Sequence, residues 1–323
     1  MSLPFRLPVL VLSLLTALAG TLAGTPAGAQ QAAPLAVVAS FSVLGDMVRE
    51  IGGSDVTVTT LVPPGGDAHV YQPRPADAKR IAGARLVMVN GLGMEGWLDR
   101  LIAASGYRGP VVVVSDGVTP QTMQAEADHG HNHGHNHGHS HGPRKAVVTD
   151  PHAWQNLANG AVYARNITEA LAAADPAHAD AYRTRGSAYL ARLKELDAWV
   201  KAQIAAVPAE KRRIITSHDA FGYFGRAYGI EFLAPVGIST DAEPSAAGVS
   251  RLIRQMRREK IRALFVENMT DQRLVRQLAS ETGAELGGTL YSDSLSPAGG
   301  PADTYIGMFR HNVPAMAAAM RKN

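Results

Sequence analysis

The chain has 323 residues, 46% of them hydrophobic, with 31 basic and 28 acidic side chains and a formal charge of +3. A chain of that length buries a large core and is expected to form two lobes. So small and scattered a surplus excludes a nucleic-acid binder, no transmembrane-length apolar run follows residue 29, and the absence of cysteine excludes disulfides and thiolate metal ligands.

At the N-terminus, Arg6, the apolar run Leu7 to Leu18 and the small residues Ala27-Gly28-Ala29 have the pattern of a signal peptide over residues 1–29, cleaved near Ala29. With no cysteine to carry a lipid, an exported and unanchored protein of a bacterial periplasm is expected. The first lobe then alternates. Leu35–Ala39, Val56–Val62, Leu86–Val89 and Val111–Val114 read as buried parallel strands. Val43–Ile51, Ala76–Ala82 and Trp97–Ala104 read as helices between them. Residues 119–148 read as a long polar loop, and Asn156–Ala174 as a further helix.

Asp175-Pro176 is a helix start, with a carboxylate at the N-cap and proline at the first position. Tyr182, Tyr189, Leu193, Leu196, Val200 and Ile204 make an apolar stripe along it, and Pro208 ends it. Residues 176–207 thus form a connecting helix of domain length between lobes at 30–175 and 208–323. The second lobe repeats the alternation. Strands are expected at Ile214–Ser217, Ile230–Leu233, Ala263–Val266 and Glu285–Leu290, with helices near Phe221–Tyr228, Ala246–Glu259, Gln272–Thr282 and Thr304–Met320. The fold class is α/β: two lobes with mainly parallel sheets, joined by one long rigid helix, with a cleft between them.

Seven of the 12 histidines fall in the polar loop, at His129, His131, His133, His135, His137, His139 and His141. Only Gly, Asn and Ser separate them, so the run buries nothing and is expected to be flexible. Imidazole binds zinc and other transition metals, and only in its neutral form. About three quarters of such side chains are neutral at pH 7 and about a tenth at pH 5.5. Ordering a free run costs about 1–2 kcal/mol per residue of backbone entropy. The run is therefore expected to be an accessory site of low affinity.

His178, in the first turns of the connecting helix, is expected to face solvent, and His311 to make a structural hydrogen bond. The others differ in placement. His69 follows the second strand in Pro63-Pro-Gly-Gly-Asp-Ala-His69, His152 follows Val147-Val148, and His218 follows Ile214-Ile-Thr-Ser. Asp293 follows the last strand in Leu290-Tyr-Ser-Asp293. Ligands of open α/β sheets bind beyond the carboxyl ends of the strands, so two candidates from each lobe converge on one crevice. Three imidazoles and a carboxylate suit tetrahedral zinc. Four protein ligands leave no position for water, and HExxH is absent, which favours holding metal over using it.

The motifs Pro64-Gly-Gly-Asp-Ala-His-Val-Tyr-Gln-Pro-Arg-Pro-Ala-Asp77, Asn90-Gly-Leu-Gly-Met-Glu-Gly-Trp97, Asp150-Pro-His-Ala-Trp154, Ser217-His-Asp-Ala-Phe-Gly-Tyr-Phe224, Glu243-Pro-Ser245 and Leu290-Tyr-Ser-Asp-Ser-Leu295 resemble those of the periplasmic zinc/manganese-binding proteins of metal ABC transporters. The resemblance runs from about Ala39 to Val313. It implies His69, His152, His218 and Asp293 as the metal ligands, two α/β lobes on a rigid helix, and a histidine-rich loop typical of zinc-binding members. Ala68 departs from the usual proline, and Gln155-Asn156-Leu157 from the usual Leu-Asp-Pro; neither is a ligand position. Manganese-selective members often carry glutamate at the third ligand position, where this chain has His218. Imidazole favours Zn2+, with Mn2+ the rival.

Ligating imidazoles need an acceptor for the second ring N–H. Asn90 and Glu267, at strand ends, are candidates for that role, while either could instead cap the following helix. Trp97, Trp154 and Tyr223 are expected to pack. The expected function is capture of zinc in the periplasm and delivery to an inner-membrane ABC permease, by a monomer that moves little on release. A periplasmic zinc chaperone is a candidate second partner. The alternatives are a manganese importer component, a periplasmic zinc buffer or chaperone, and a zinc hydrolase with Asp293 as base.

Overall fold

In the computed structural model, which describes residues 33–124, 147–241 and 244–323, the alternating pattern becomes two parallel sheets. The expected signal peptide and the run His129–His141 lie outside the described residues. β1 (Leu35–Phe41), β2 (Val56–Val62), β3 (Leu86–Val89) and β4 (Val111–Val113) form the first sheet in the order β2-β1-β3-β4. α1 (Ser42–Gly52), α2 (Pro75–Ala82) and α3 (Leu98–Ser105) connect them. All pairings are parallel, with Val37 opposite both Val58 and Leu86. Parallel strands need helical crossovers on their faces, which is why β1 and β3 are buried almost throughout.

The expected loop 119–148 is partly structured. Gln121–Gln124 (β5) and Val147–Asp150 (β6) pair antiparallel as a two-stranded ribbon, with Gln121 opposite Asp150. A 3-10 turn, Ala153–Gln155, then leads into α4 (Leu157–Ala174), whose N-cap Asn156 accepts from Ala158 N.

The connecting helix starts later than its sequence suggests. Pro176–His178 is a 3-10 turn, and α5 runs from Ala179 to Ala205, 27 residues or about 40 Å. The Asp175 carboxylate accepts from His178 Nδ1 at 2.7 Å and Tyr182 Oη at 2.8 Å. His178 is therefore engaged in a local bond, with its side chain 33% exposed. The apolar stripe from Tyr182 to Ile204 is buried as expected. Gly186 lets α5 approach α4, since a Cβ there would lie 2.3 Å from Thr168 Oγ1.

The second lobe repeats the first in topology. β7 (Arg213–Ile215), β8 (Glu231–Leu233), β9 (Leu264–Glu267) and β10 (Leu286–Leu290) form a parallel sheet in the order β10-β9-β7-β8. Read from its other edge, this is the order of the first sheet. α6 (Gly222–Tyr228), α7 (Ala246–Glu259), α8 (Arg273–Thr282) and α9 (Tyr305–Met320) complete it. Neighbouring residues of β7 face opposite ways, as the period of a strand requires. Ile215 joins Leu252, Met256 and Leu278 beneath α7 and α8, while Ile214 joins a larger core. That larger core is continuous across the molecule, holding Val37 and Leu86, Tyr189 and Leu196 of α5, and Phe309 and Met316 of α9. Among the described residues no helix is long and apolar enough to cross a membrane.

Candidate metal centre

Each of the four singled-out side chains leaves the carboxyl end of a strand. His69 sits in the loop after β2, His152 after β6, His218 after β7 and Asp293 after β10. Short hydrogen bonds hold each segment. Trp97 Nε1 donates to Ala68 O at 2.8 Å, beside His69. Gly65 N in the same loop donates to Ser294 Oγ at 2.7 Å, beside Asp293. Trp154 Nε1 and Gln155 Nε2 donate to Ser292 O at 3.0 and 2.9 Å, on Asp293's other side. Thr216 Oγ1 donates to His218 O at 2.9 Å.

The four donors meet. His69, His152, His218 and Asp293 each offer one atom, all within 4.8 Å of one another. His69 Nε2 lies 3.1 Å from His152 Nε2 and 3.2 Å from Asp293 Oδ2. Asp293 Oδ2 lies 3.1 Å from His218 Nε2 and 3.5 Å from His152 Nε2. A tetrahedral ion with bonds of about 2.0–2.1 Å has ligand–ligand edges of about 3.3 Å, so these separations fit one small cation. Asp293 Oδ1 is buried with no hydrogen-bond partner among the described residues, as fits a carboxylate beside a cation.

Two imidazoles are backed by carboxylates. Asp150 Oδ1 accepts from both the backbone N–H of His152, at 3.0 Å, and its Nδ1, at 2.7 Å. That fixes the tautomer and turns the Nε2 lone pair to the crevice. His218 Nδ1 lies 2.9 Å from Glu267 Oε2, off the line of a hydrogen bond, and Glu267 Oε1 accepts the His218 backbone N–H at 3.0 Å. Asn90 is placed otherwise. Its Nδ2 donates to Pro151 O at 3.0 Å and its Oδ1 accepts from Tyr163 Oη at 2.7 Å, so it holds the backbone before His152 and reaches no imidazole.

Burial penalises each charge in this cluster and strengthens the attraction between opposite ones. For His152 burial lowers the pKa, but Asp293 and Asp150 outweigh it and the imidazole is pushed up to about 9. His218 is likewise lowered by burial and raised well above its ordinary value by Glu267 and Asp293. Burial raises Asp293, yet His152 and His218 hold it well below the usual carboxylate range. Three buried carboxylates around three imidazoles make a strongly cation-attracting centre.

Several positioning residues escape a reading of the sequence. Asp150 stands two residues before His152, a spacing from which it could have been suspected. Glu95 is less visible: its carboxylate takes Ser40 Oγ at 2.6 Å and the backbone N–H groups of Asn90 at 2.7 Å and Gly91 at 3.2 Å. Gly91 is required there, with φ +80° and no room for a Cβ, which would lie 2.5 Å from Val113 Cγ1. Trp97 and Trp154, expected to pack, also hold the loops of His69 and Asp293. Tyr223 Oη accepts from Gln121 N at 2.9 Å, tying α6 to the ribbon. His311 Nε2 donates to Thr289 O at 3.0 Å, the structural bond expected of it.

Two parallel-sheet lobes on one helix, with histidines and a carboxylate converging between them, define a metal-binding substrate-binding component of an ABC transporter. The chain belongs to the ZnuA family, described as zinc-uptake complex component A, periplasmic, whose model matches residues 37–319. It is 32% identical over 286 residues to the manganese-binding lipoprotein MntA of Halalkalibacterium halodurans, covering 88% of each chain. It is also 32% identical over 288 residues to the iron-binding protein YfeA of Yersinia pestis, covering 88% of this chain and 86% of that one. Among solved structures, it resembles the periplasmic zinc binding protein TroA from Treponema pallidum with a TM-score of 0.78 and 29% identity, covering 89% of this chain and 99% of that one.

Proposed function

We propose that this protein captures zinc in the periplasm through His69, His152, His218 and Asp293 and hands it to an inner-membrane ABC permease. The convergence of three Nε2 atoms and one Oδ2 within 4.8 Å carries the proposal. Three imidazoles against one carboxylate oxygen is a donor set suited to zinc. The ion is cargo: it is held by groups fixed on strand ends, so capture needs little ordering of the chain. His152 and His218 give up protons as it enters. The continuous core through α5 supports release by movement of loops, with the lobes kept in place.

A manganese site is the second reading. It is favoured by the unpartnered Asp293 Oδ1, a further hard oxygen of the kind manganese prefers, and by the manganese- and iron-binding relatives. A hydrolase is disfavoured, because four protein ligands leave no place for an activated water. In the proposed scheme the run His129–His141 is an accessory that gathers zinc weakly, and residues 1–29 are an export signal.

Isothermal titration with zinc and with manganese tests the assignment. The parent is expected to bind one metal tightly, with zinc preferred. A His69→Ala, His218→Ala protein that kept tight stoichiometric zinc would sink the ligand set. A chain lacking residues 129–141 is expected to keep the tight site, whereas a zinc buffer would lose most of its capacity.

A further inference from the structure

Of the four donors, His69 is held least directly. His152 and His218 face Asp150 and Glu267 through Nδ1, whereas His69 Nδ1 has no partner among the described residues. Its side chain is also the most exposed of the four, at 5% against 1% or less. The position of its ring depends on its backbone, whose N–H donates to Asp67 Oδ1 at 2.9 Å. The other oxygen of that carboxylate, Oδ2, accepts from Thr240 Oγ1 at 2.7 Å.

Thr240 belongs to the second lobe, in the loop after β8. The same loop runs beside His218: Val236 forms a parallel bridge with it, and Gly237 O accepts from Asp219 N at 3.2 Å. One carboxylate thus ties the loop of the first-lobe ligand to the stretch flanking a second-lobe ligand. We infer that Thr240 is a positioning residue for His69, acting through Asp67, and that this link sets how fast the bound metal leaves. The inference rests on the ligand set proposed above.

Release requires one ligand to withdraw first. The donor next to solvent, with no carboxylate behind its ring, is the one whose withdrawal needs least rearrangement. Without the Thr240 hydroxyl, Asp67 is free to turn and the His69 backbone loses its fixed acceptor. The Trp97–Ala68 and Gly65–Ser294 bonds still hold the loop on either side. The site therefore still assembles, and its lifetime shortens.

The experiment is zinc release into excess chelator, followed by stopped flow, for the parent chain, Thr240→Val and Thr240→Ser. Metal-free melting temperatures and zinc stoichiometry are measured alongside. Valine keeps the shape and removes the hydroxyl, and loss of one hydrogen bond should speed release about three- to tenfold. Thr240→Ser should release at the parent rate, and all three proteins should bind zinc stoichiometrically with equal metal-free melting temperatures. An unchanged release rate in Thr240→Val overturns the inference. So does a faster rate that serine fails to restore, or one matched by a lower metal-free melting temperature. A parent chain without stoichiometric zinc would instead bring down the ligand set itself.

Discussion

A single oxygen of Asp150 grips His152 twice, accepting its backbone N–H at 3.0 Å and its Nδ1 at 2.7 Å. The other oxygen, Oδ2, is buried without a hydrogen-bond partner among the described residues and would lie 2.6 Å from a Cβ at Gly222. A carboxylate so placed sets the tautomer of the imidazole and its basicity. Asp150→Ala is expected to weaken zinc binding about 10- to 100-fold while leaving the stoichiometry unchanged. Asp150→Asn should lose less, because its amide oxygen can still accept from His152. Competition titration against a chelator of known affinity measures both; equal affinities in parent and alanine variant would contradict this role.

Metal binding should be steeply pH-dependent. In the metal-free protein Asp293 and Asp150 push His152 up to about 9, and Glu267 and Asp293 push His218 well above its ordinary value. At pH 7 both imidazoles carry protons that the incoming ion displaces, so apparent affinity rises with pH up to about 9 and falls towards acid, by about tenfold or more per pH unit. For the metal-free fold the sign runs the other way. The stabilisation from the raised His152 is complete below about 6.5 and is lost as pH rises through about 9, and that from His218 is lost in the same direction. A zinc affinity flat between pH 6 and 8 would contradict the protonated metal-free site.

Asp46 makes a second pH-dependent contribution, away from the metal. Burial pushes its carboxyl from 3.8 up to about 7, while its bond from Tyr305 N, 2.7 Å, opposes the shift. Its contribution to stability is fully present below about 4 and lost as pH climbs to about 7. Asp46→Asn keeps an oxygen for the Tyr305 N–H and removes the charge. Denaturant unfolding should show little difference at pH 4 and a gain of a few kcal/mol for the variant at pH 8. No gain at pH 8 would argue that the carboxylate is charged without cost.

Gly186 is expected to tolerate no side chain. A Cβ would sit 2.3 Å from Thr168 Oγ1 and 2.9 Å from its Cγ2, so Gly186→Ala should destabilise by about 1–3 kcal/mol, despite the better helix propensity of alanine. Adding Thr168→Ala should recover most of that loss. Thermal unfolding of the single and double variants distinguishes a steric clash from a backbone effect.

What could be read in the chain beforehand was what local pattern carries. The β-branched run Val56–Val62 and the apolar stripe from Tyr182 to Ile204 both form the elements expected of them, although β2 lies at the sheet edge and is buried only at Leu61 and Val62. Strand-end positions likewise predicted that His69, His152, His218 and Asp293 would converge, because topology alone brings them to one crevice. The β5–β6 ribbon was not legible, since Gln121–Gln124 has no apolar alternation and depends on pairing across the chain. Nor could Asn90 have been placed, because nothing local distinguishes an amide that holds Pro151 from one that holds an imidazole. The Asp67–Thr240 bond spans 173 residues and joins two polar loops. Such contacts exist only once both lobes are assembled.

The core shared by the two lobes bears on how the protein comes apart. Phe309 and Met316, on the last helix, lie in the same apolar cluster as Val37 and Leu86 of the first sheet. Neither half can be exposed without uncovering the other, and residues 34–323 behave as one compact unit. Heating should therefore give a single calorimetric transition, with agreement between calorimetric and van't Hoff enthalpies. A fragment ending before Tyr305 should fail to fold at all, because the shared core loses Phe309, Val313 and Met316.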